Sequence, residues 1–196
     1  MLLNSQLMSG ARSYLKDHLL IAMPGMADPN FVRSVTYLCE HNDQGAMGIR
    51  INQVSGMRMG DVLAQMQIKC RAPEIIDQTV LIGGPVQQEH GFVLHEKGEQ
   101  EWESSLPIAT NLRVTTSRDI LAAIAAGSGP PRSLLALGYA GWAAGQLEHE
   151  LRENAWISVA ADHRVLFDTP IDGRWHAALA LLGIDPALLS DEVGHA

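Results

Sequence analysis

Residues 34–52 constrain the fold more than any other stretch of the chain. Two largely apolar runs, 34–40 and 46–52, flank Asn42-Asp43-Gln44-Gly45, and turn-forming residues between such runs specify an antiparallel hairpin. Alternation places Val35, Tyr37 and Cys39 on one face, with Thr36, Leu38 and Glu40 on the other. Further strands are expected over 19–23, stopped by Pro24-Gly25, and over 79–82, 92–95, 112–115, 134–139 and 156–160. Gly83-Gly84-Pro85 reads as a sharp strand exit, because it lacks the spacing of a phosphate-binding loop.

Helices fall between these strands. Met59, Val62, Leu63 and Met66 recur at i, i+3, i+4 and i+7, one face of a helix. Ser117 opens another, its hydroxyl expected to accept from a first-turn amide. Ile120, Leu121 and Ile124 are its apolar face, and Gly127 ends it before Pro130-Pro131. Two more are expected over 145–153, with Leu147 and Leu151 in register, and over 175–182, stopped by Gly183. The elements interleave without a regular βαβ rhythm, which disfavours a doubly wound parallel sheet. A mixed α/β (α+β) architecture is expected: a strongly bent mixed sheet with helices outside. The 196 residues fit one domain over 17–190, with a loose arm over 1–16 and a tail over 191–196.

Composition narrows the function classes. With 14 Lys and Arg against 22 Asp and Glu, the net charge is −8, which opposes direct nucleic-acid binding through phosphate neutralisation. No stretch approaches the roughly 18 to 20 apolar residues of a membrane span. Nor does the N-terminus carry the basic-then-apolar order of a secretory signal, so a cytoplasmic location is expected. Two cysteines are too few for a disulfide framework or a Cys-built zinc site. Cys39 reads as a buried apolar residue, and Cys70 sits between Lys69 and Arg71 with no base nearby.

Reactive clusters are sparse. There is no H-E-x-x-H, no G-x-S-x-G and no Gly-Lys-Ser/Thr, so no catalytic, metal or cofactor residues are assigned. Residues 138–151 stand out instead: Gly138, Gly141 and Gly145 read as a strand-to-helix turn that lets backbone approach a ligand or a neighbour. Trp142, Gln146 and Glu148 are the candidate ligand residues there, with His41 as a further candidate. Glu148 also reads simply as a first-turn carboxylate.

Several motifs in fixed order resemble the AlgH/YqgE family of bacterial proteins. They are Leu20-Ile21-Ala22-Met23-Pro24 with Met26, Asp28 and Phe31, then Ser34-Val35, Cys39-Glu40-His41-Asn42 and Gly45-Ala46-Met47-Gly48. Gly83-Gly84-Pro85-Val86, Gly91-Phe92-Val93-Leu94-His95, Thr115-Thr116-Ser117, Leu137-Gly138-Tyr139-Ala140-Gly141-Trp142 and Gly145-Gln146-Leu147-Glu148 complete the pattern, which covers about residues 15 to 190. The resemblance implies a bent, bifurcated mixed β-sheet forming a partly closed barrel flanked by helices. It implies no established catalytic residue; members are often labelled transcriptional regulators. This chain departs from the family pattern at two places. Asn52 is followed by Gln53 where relatives commonly carry a basic residue, and His90 stands where they commonly carry Arg. If those cations hold an anionic ligand in relatives, this chain holds it more weakly or only at lower pH. Asn52 and His90 therefore join the ligand candidates.

The leading expectation is a non-catalytic binding or regulatory module that takes a small ligand or a protein partner, as a monomer or homodimer. Residues Leu188-Leu189 are a candidate dimer contact. The rival is a metal- or histidine-dependent hydrolase assembled from His41, His95 and Glu148, which requires those side chains to line one cleft.

Overall fold

The computed structural model describes residues 14–24, 26 and 28–185. The Leu188-Leu189 contact, the 191–196 tail and most of the 1–16 arm lie outside the described residues. Among the described residues ten strands form the sheet: β1 (His18–Ala22), β2 (Val35–Asn42), β3 (Gly45–Arg50), β4 (Val54–Arg58), β5 (Thr79–Ile82), β6 (Val86–Glu96), β7 (Ser105–Pro107), β8 (Leu112–Thr115), β9 (Ser133–Ala143) and β10 (Trp156–Ala160). The helices are α1 (Met59–Gln65), α2 (Pro73–Ile76), α3 (Arg118–Ala125), α4 (Gln146–Arg152) and α5 (Arg174–Ala180). The strand order is β10-β1-β2-β3-β9-β6-β8-β7, with β4 and β5 on a side branch. Among the described residues only the β5–β9 pairing is parallel, so the sheet is mixed; it is also strongly curled.

The branch arises on one edge of β9. Ala136 and Leu137 pair with Leu81 and Ile82 of β5, and from Ala140 onward the same edge pairs with β3. The opposite edge runs along β6. Gly138 sits at the changeover with φ +71, a conformation that a residue with a Cβ adopts only under strain. A Cβ on Gly83 would lie 2.1 Å from the Gly138 carbonyl oxygen, and one on Gly84 would lie 2.1 Å from the Tyr139 carbonyl carbon. The Gly83-Gly84-Pro85 exit is thus built into the fork, where backbones touch.

Apolar residues of both sheet faces are buried, in three clusters. Val35, Tyr37 and Cys39 join the main core with Trp175 and Leu179 of α5. Val62 and Leu63 of α1 pack with Ile120, Leu121 and Ile124 of α3. Leu38, on the other face of β2, packs with Leu20, Trp142, Leu147 and Trp156 beneath α4. Leu147 is the buried residue of α4, and its burial contributes about 2 kcal/mol to docking that helix.

The structure corrects the sequence reading at several points. Residues 138–142 are strand, not turn; β9 continues to Ala143 and the chain turns at Gly145, φ +76. β6 starts at Val86, ahead of the expected 92–95. The Ser117 hydroxyl does not cap α3: it donates to Asp119 Oδ1, and that carboxylate accepts the Ile120 amide. β4 and β7 escaped the pattern reading because both lie largely at the surface, so little apolar alternation marks them.

Candidate functional site

The sequence candidates around α4 do come together, as a closed polar cluster. His41, 4% exposed, accepts the Leu15 amide at Nδ1 (2.9 Å), which assigns the ring proton to Nε2. Nε2 then donates to Glu148 Oε1 at 3.2 Å. The described end of the N-terminal arm is therefore docked, and Lys16 adds an ion pair to Glu40. The hub of the cluster is Glu150, one turn along α4 from Gln146. Its Oε2 accepts the Trp142 indole N–H at 2.9 Å and the Trp156 indole N–H at 2.7 Å, and its Oε1 accepts the Gln146 amide at 2.9 Å. Gln146 Oε1 in turn accepts the Ala143 amide. Trp142 and Trp156 meet edge to face at 5.9 Å. Trp142, Gln146, Glu148 and His41 thus spend these polar groups on one another, on Glu150 and on backbone. Glu150 was missed, although its i, i+4 spacing from Gln146 was the signal that could have found it.

A second region is open. Residues 29–34, residues 50–53 and the start of α5 enclose a cleft of about 430 Å³. Asn52 clamps one wall: its Oδ1 accepts the Val35 amide at 2.8 Å and its Nδ2 donates to the Arg33 carbonyl at 2.9 Å. Arg33 is held at φ +51, a left-handed conformation that costs about 1–2 kcal/mol for a residue with a side chain. Its guanidinium lies 5.4 Å over the Trp175 ring. Gln53 and His176 complete the exposed rim, with Asp172 as the acid among the lining residues.

Buried polar groups back this cleft. Arg50, 4% exposed, donates from Nε to the Ile82 carbonyl and lies 5.5 Å from the Phe31 ring centroid. Burial pulls its pKa down, opposed by the charge of Asp28. Arg174, 6% exposed, donates to the carbonyls of Ile51 and Thr169. No carboxylate pairs with it among the described residues, and burial pushes its pKa down to about 10. The Ser34 hydroxyl is buried in the cleft wall without a hydrogen-bond partner among the described residues; the buried Thr36 hydroxyl, directly opposite Arg50 in the β2–β3 register but outside the cleft lining, also has none.

Of the sequence candidates, only Asn52 lines this cleft. His90 stands on the exposed start of β6, 3.3 Å from Glu89. Arg33, Ser34, Arg50, Trp175 and His176 were not singled out as site residues. A cleft of about 440 Å³ between α1 and residues 69–71 differs in kind, because its charged lining residues Arg58, Asp61, Lys69, Arg71 and Asp77 are all exposed.

The histidines proposed for hydrolysis are separated by the sheet. His95 pairs with Ser133 at one end of β9, whereas His41 is reached through Ala46 and Trp142 at the other. Nine steps along the strand separate Ser133 from Trp142, a span of up to about 30 Å, so His41, His95 and Glu148 do not line one cleft. His95 is itself engaged, with Nδ1 on the Glu96 carbonyl and Nε2 2.8 Å from Thr115 Oγ1, which bonds Ser105. Burial depresses its imidazole pKa, and the Glu96 carbonyl works against that shift. Among the described residues, no three His, Cys, Asp or Glu side chains gather as a metal-ligand set. Cys39 is fully buried and its thiol pKa is pushed up by that burial.

A curled mixed sheet forked at one strand, closed by α4 at one site and open beside α5 at another, defines an α/β protein of half-barrel type. Within that class the chain belongs to the AlgH-like family, which matches residues 19–187. It is 51% identical over 183 residues to a UPF0301 protein of Nitrosococcus oceani, covering 93% of this chain and 97% of that one. A UPF0301 protein of Thioalkalivibrio sulfidiphilus is 53% identical over 188 residues, 95% and 99% of the two chains. The solution structure of the AlgH protein from Pseudomonas aeruginosa superposes with a TM-score of 0.78 at 49% identity, covering 97% of this chain and all of that one. A crystal structure from Corynebacterium diphtheriae, at 20% identity, shares the fold with a TM-score of 0.72 over 91% of this chain and 92% of that one. Among the described residues, no helix is long and apolar enough to cross a membrane.

Proposed function

We propose that this protein is a binding module that holds a small ligand in the cleft beside α5 and acts by being occupied, without catalytic turnover. The observation that carries the reading is the contrast in satisfaction: a roomy cleft is backed by a buried Ser34 hydroxyl without a partner among the described residues, while the polar groups of the α4 cluster bond to one another. On this reading Asn52 positions the cleft wall, His41, Trp142, Gln146 and Glu148 hold α4 and the arm in place, and His90 takes no part. The module serves a regulatory role in the cytoplasm, as a monomer or homodimer, and works through its ligand or a protein partner instead of through DNA.

A thermal-shift screen against metabolites, nucleotides and divalent ions tests this reading, since a ligand of the native state raises Tm with concentration. The expected hits also perturb the backbone amides of Ser34, Asn52 and Gln53 in a ¹⁵N–¹H NMR spectrum. Hits that perturb Gln146 and Glu148 alone would move the site to the α4 cluster, and chemical conversion of a hit would overturn the non-catalytic reading. In a low-salt filter-binding titration, specific DNA retention below micromolar would overturn the exclusion of DNA.

A further inference from the structure

Resting on that reading, we propose that the ligand presents an oxyanion, a carboxylate or a phosphate group, to the wall formed by Arg33, Ser34 and Arg50. The molecule carries a net charge of −8, yet two arginines line this one cleft and a third bonds to backbone in its wall. Arg33 and Arg50 line the cleft. Arg174 lies directly behind it, between the lining residues Asp172 and Trp175, and donates to the carbonyl of Ile51, the residue between Arg50 and Asn52.

Asp28 acts on Arg50, and Asp172 stands on the exposed rim. Neither is paired with Arg174, which among the described residues donates to carbonyls alone. A buried cation held by carbonyl dipoles alone favours a nearby negative charge, and a neutral ligand would leave it uncompensated. Ser34 supplies a hydroxyl that has nothing to donate to within the described protein. A guanidinium fork and a hydroxyl donor suit the lone pairs of a carboxylate or phosphate. The cleft of about 430 Å³ also exceeds one such group, leaving space for the body of a metabolite-sized molecule.

The test is a ¹⁵N–¹H NMR titration of the full chain with inorganic phosphate and, separately, with acetate, against sodium chloride at matched ionic strength. The expected result is saturable shifts at the amides of Arg33, Ser34, Gln53 and His176 with at least one oxyanion and not with chloride; the arm that saturates at lower concentration identifies the preferred group. Gln53→Lys adds a cation to the rim and is expected to tighten that response on the order of fivefold, while Arg33→Gln weakens it by a similar factor. Equal shifts with chloride, or unchanged affinity in both variants, would overturn the oxyanion assignment. Neutral compounds that saturate the same amides while phosphate and acetate do not would also overturn it, yet leave the binding module standing. If neither the oxyanions nor any compound in the thermal-shift screen perturbs these amides, both readings fall.

Discussion

The α4 cluster and the α5 cleft are made from the same materials: ionisable side chains, an indole and a histidine beside a curled sheet. They differ in how their hydrogen bonds close. Glu150 meets three donors with two oxygens, and both ring nitrogens of His41 are engaged. Beside α5, Arg174 leans on backbone carbonyls and the Ser34 hydroxyl on nothing among the described residues. Unusual residue types therefore do not mark a binding site by themselves. A polar group left unmatched in a place with room for a partner is the better marker.

The strongest blow to this comparison is aimed at the hub. Glu150→Ala strands two indole N–H groups in nearly buried rings and is expected to cost about 3 kcal/mol, lowering Tm by roughly 8 °C. Ligand binding in the cleft should survive below that transition; its loss would mean that the two regions are one site. His41→Phe removes the acceptor for Leu15 and the donor to Glu148, at about 1–2 kcal/mol. Hydrogen exchange at the Leu15 amide should accelerate, and an unchanged rate would refute the docking role.

His95 offers a third region, engaged like the α4 cluster but titratable. Its folded pKa lies below the unfolded value near 6.5, so the unfolded chain binds the proton more readily in the window beneath it. The stability that neutral His95 contributes is complete above that pH and drains away as pH falls towards the folded value. Urea titrations at pH 7.5 and 5.5 should show the wild type losing more stability than His95→Gln. The smallest effect belongs to the cleft: Ser34→Ala deletes an unmatched hydroxyl and should raise stability by about 1 kcal/mol or leave it unchanged while weakening the ligand. A marked loss of stability would show that Ser34 has a structural partner after all.

Much of the fold was legible because it follows local chemistry. β5, β8 and β10 fall where short apolar and β-branched runs are bounded by turn residues, and α1 and α3 where apolar residues repeat at helical spacing. The resemblance supplied the bifurcation, which periodicity cannot reveal. The turn misread at 138–142 shows why: glycines there reflect a strand squeezed between two backbones, and a glycine has the same letter in a fork as in a loop. Site legibility divided the same way. Gln146, Glu148 and Trp142 lie within one short segment and stand out together in the sequence. Arg33 and Trp175 meet only in the folded chain, with no spacing rule to connect them.

The fork at β9 also orders events in time. β3, β5 and β6 all await a strand that begins at Ser133, so everything up to Arg132 emerges from synthesis with sheet edges that have no mate. Closure depends on pairings distant along the polypeptide, which slows folding and leaves nascent edges open to other chains. A truncation just before that strand should consequently yield aggregates, not a smaller version of the protein.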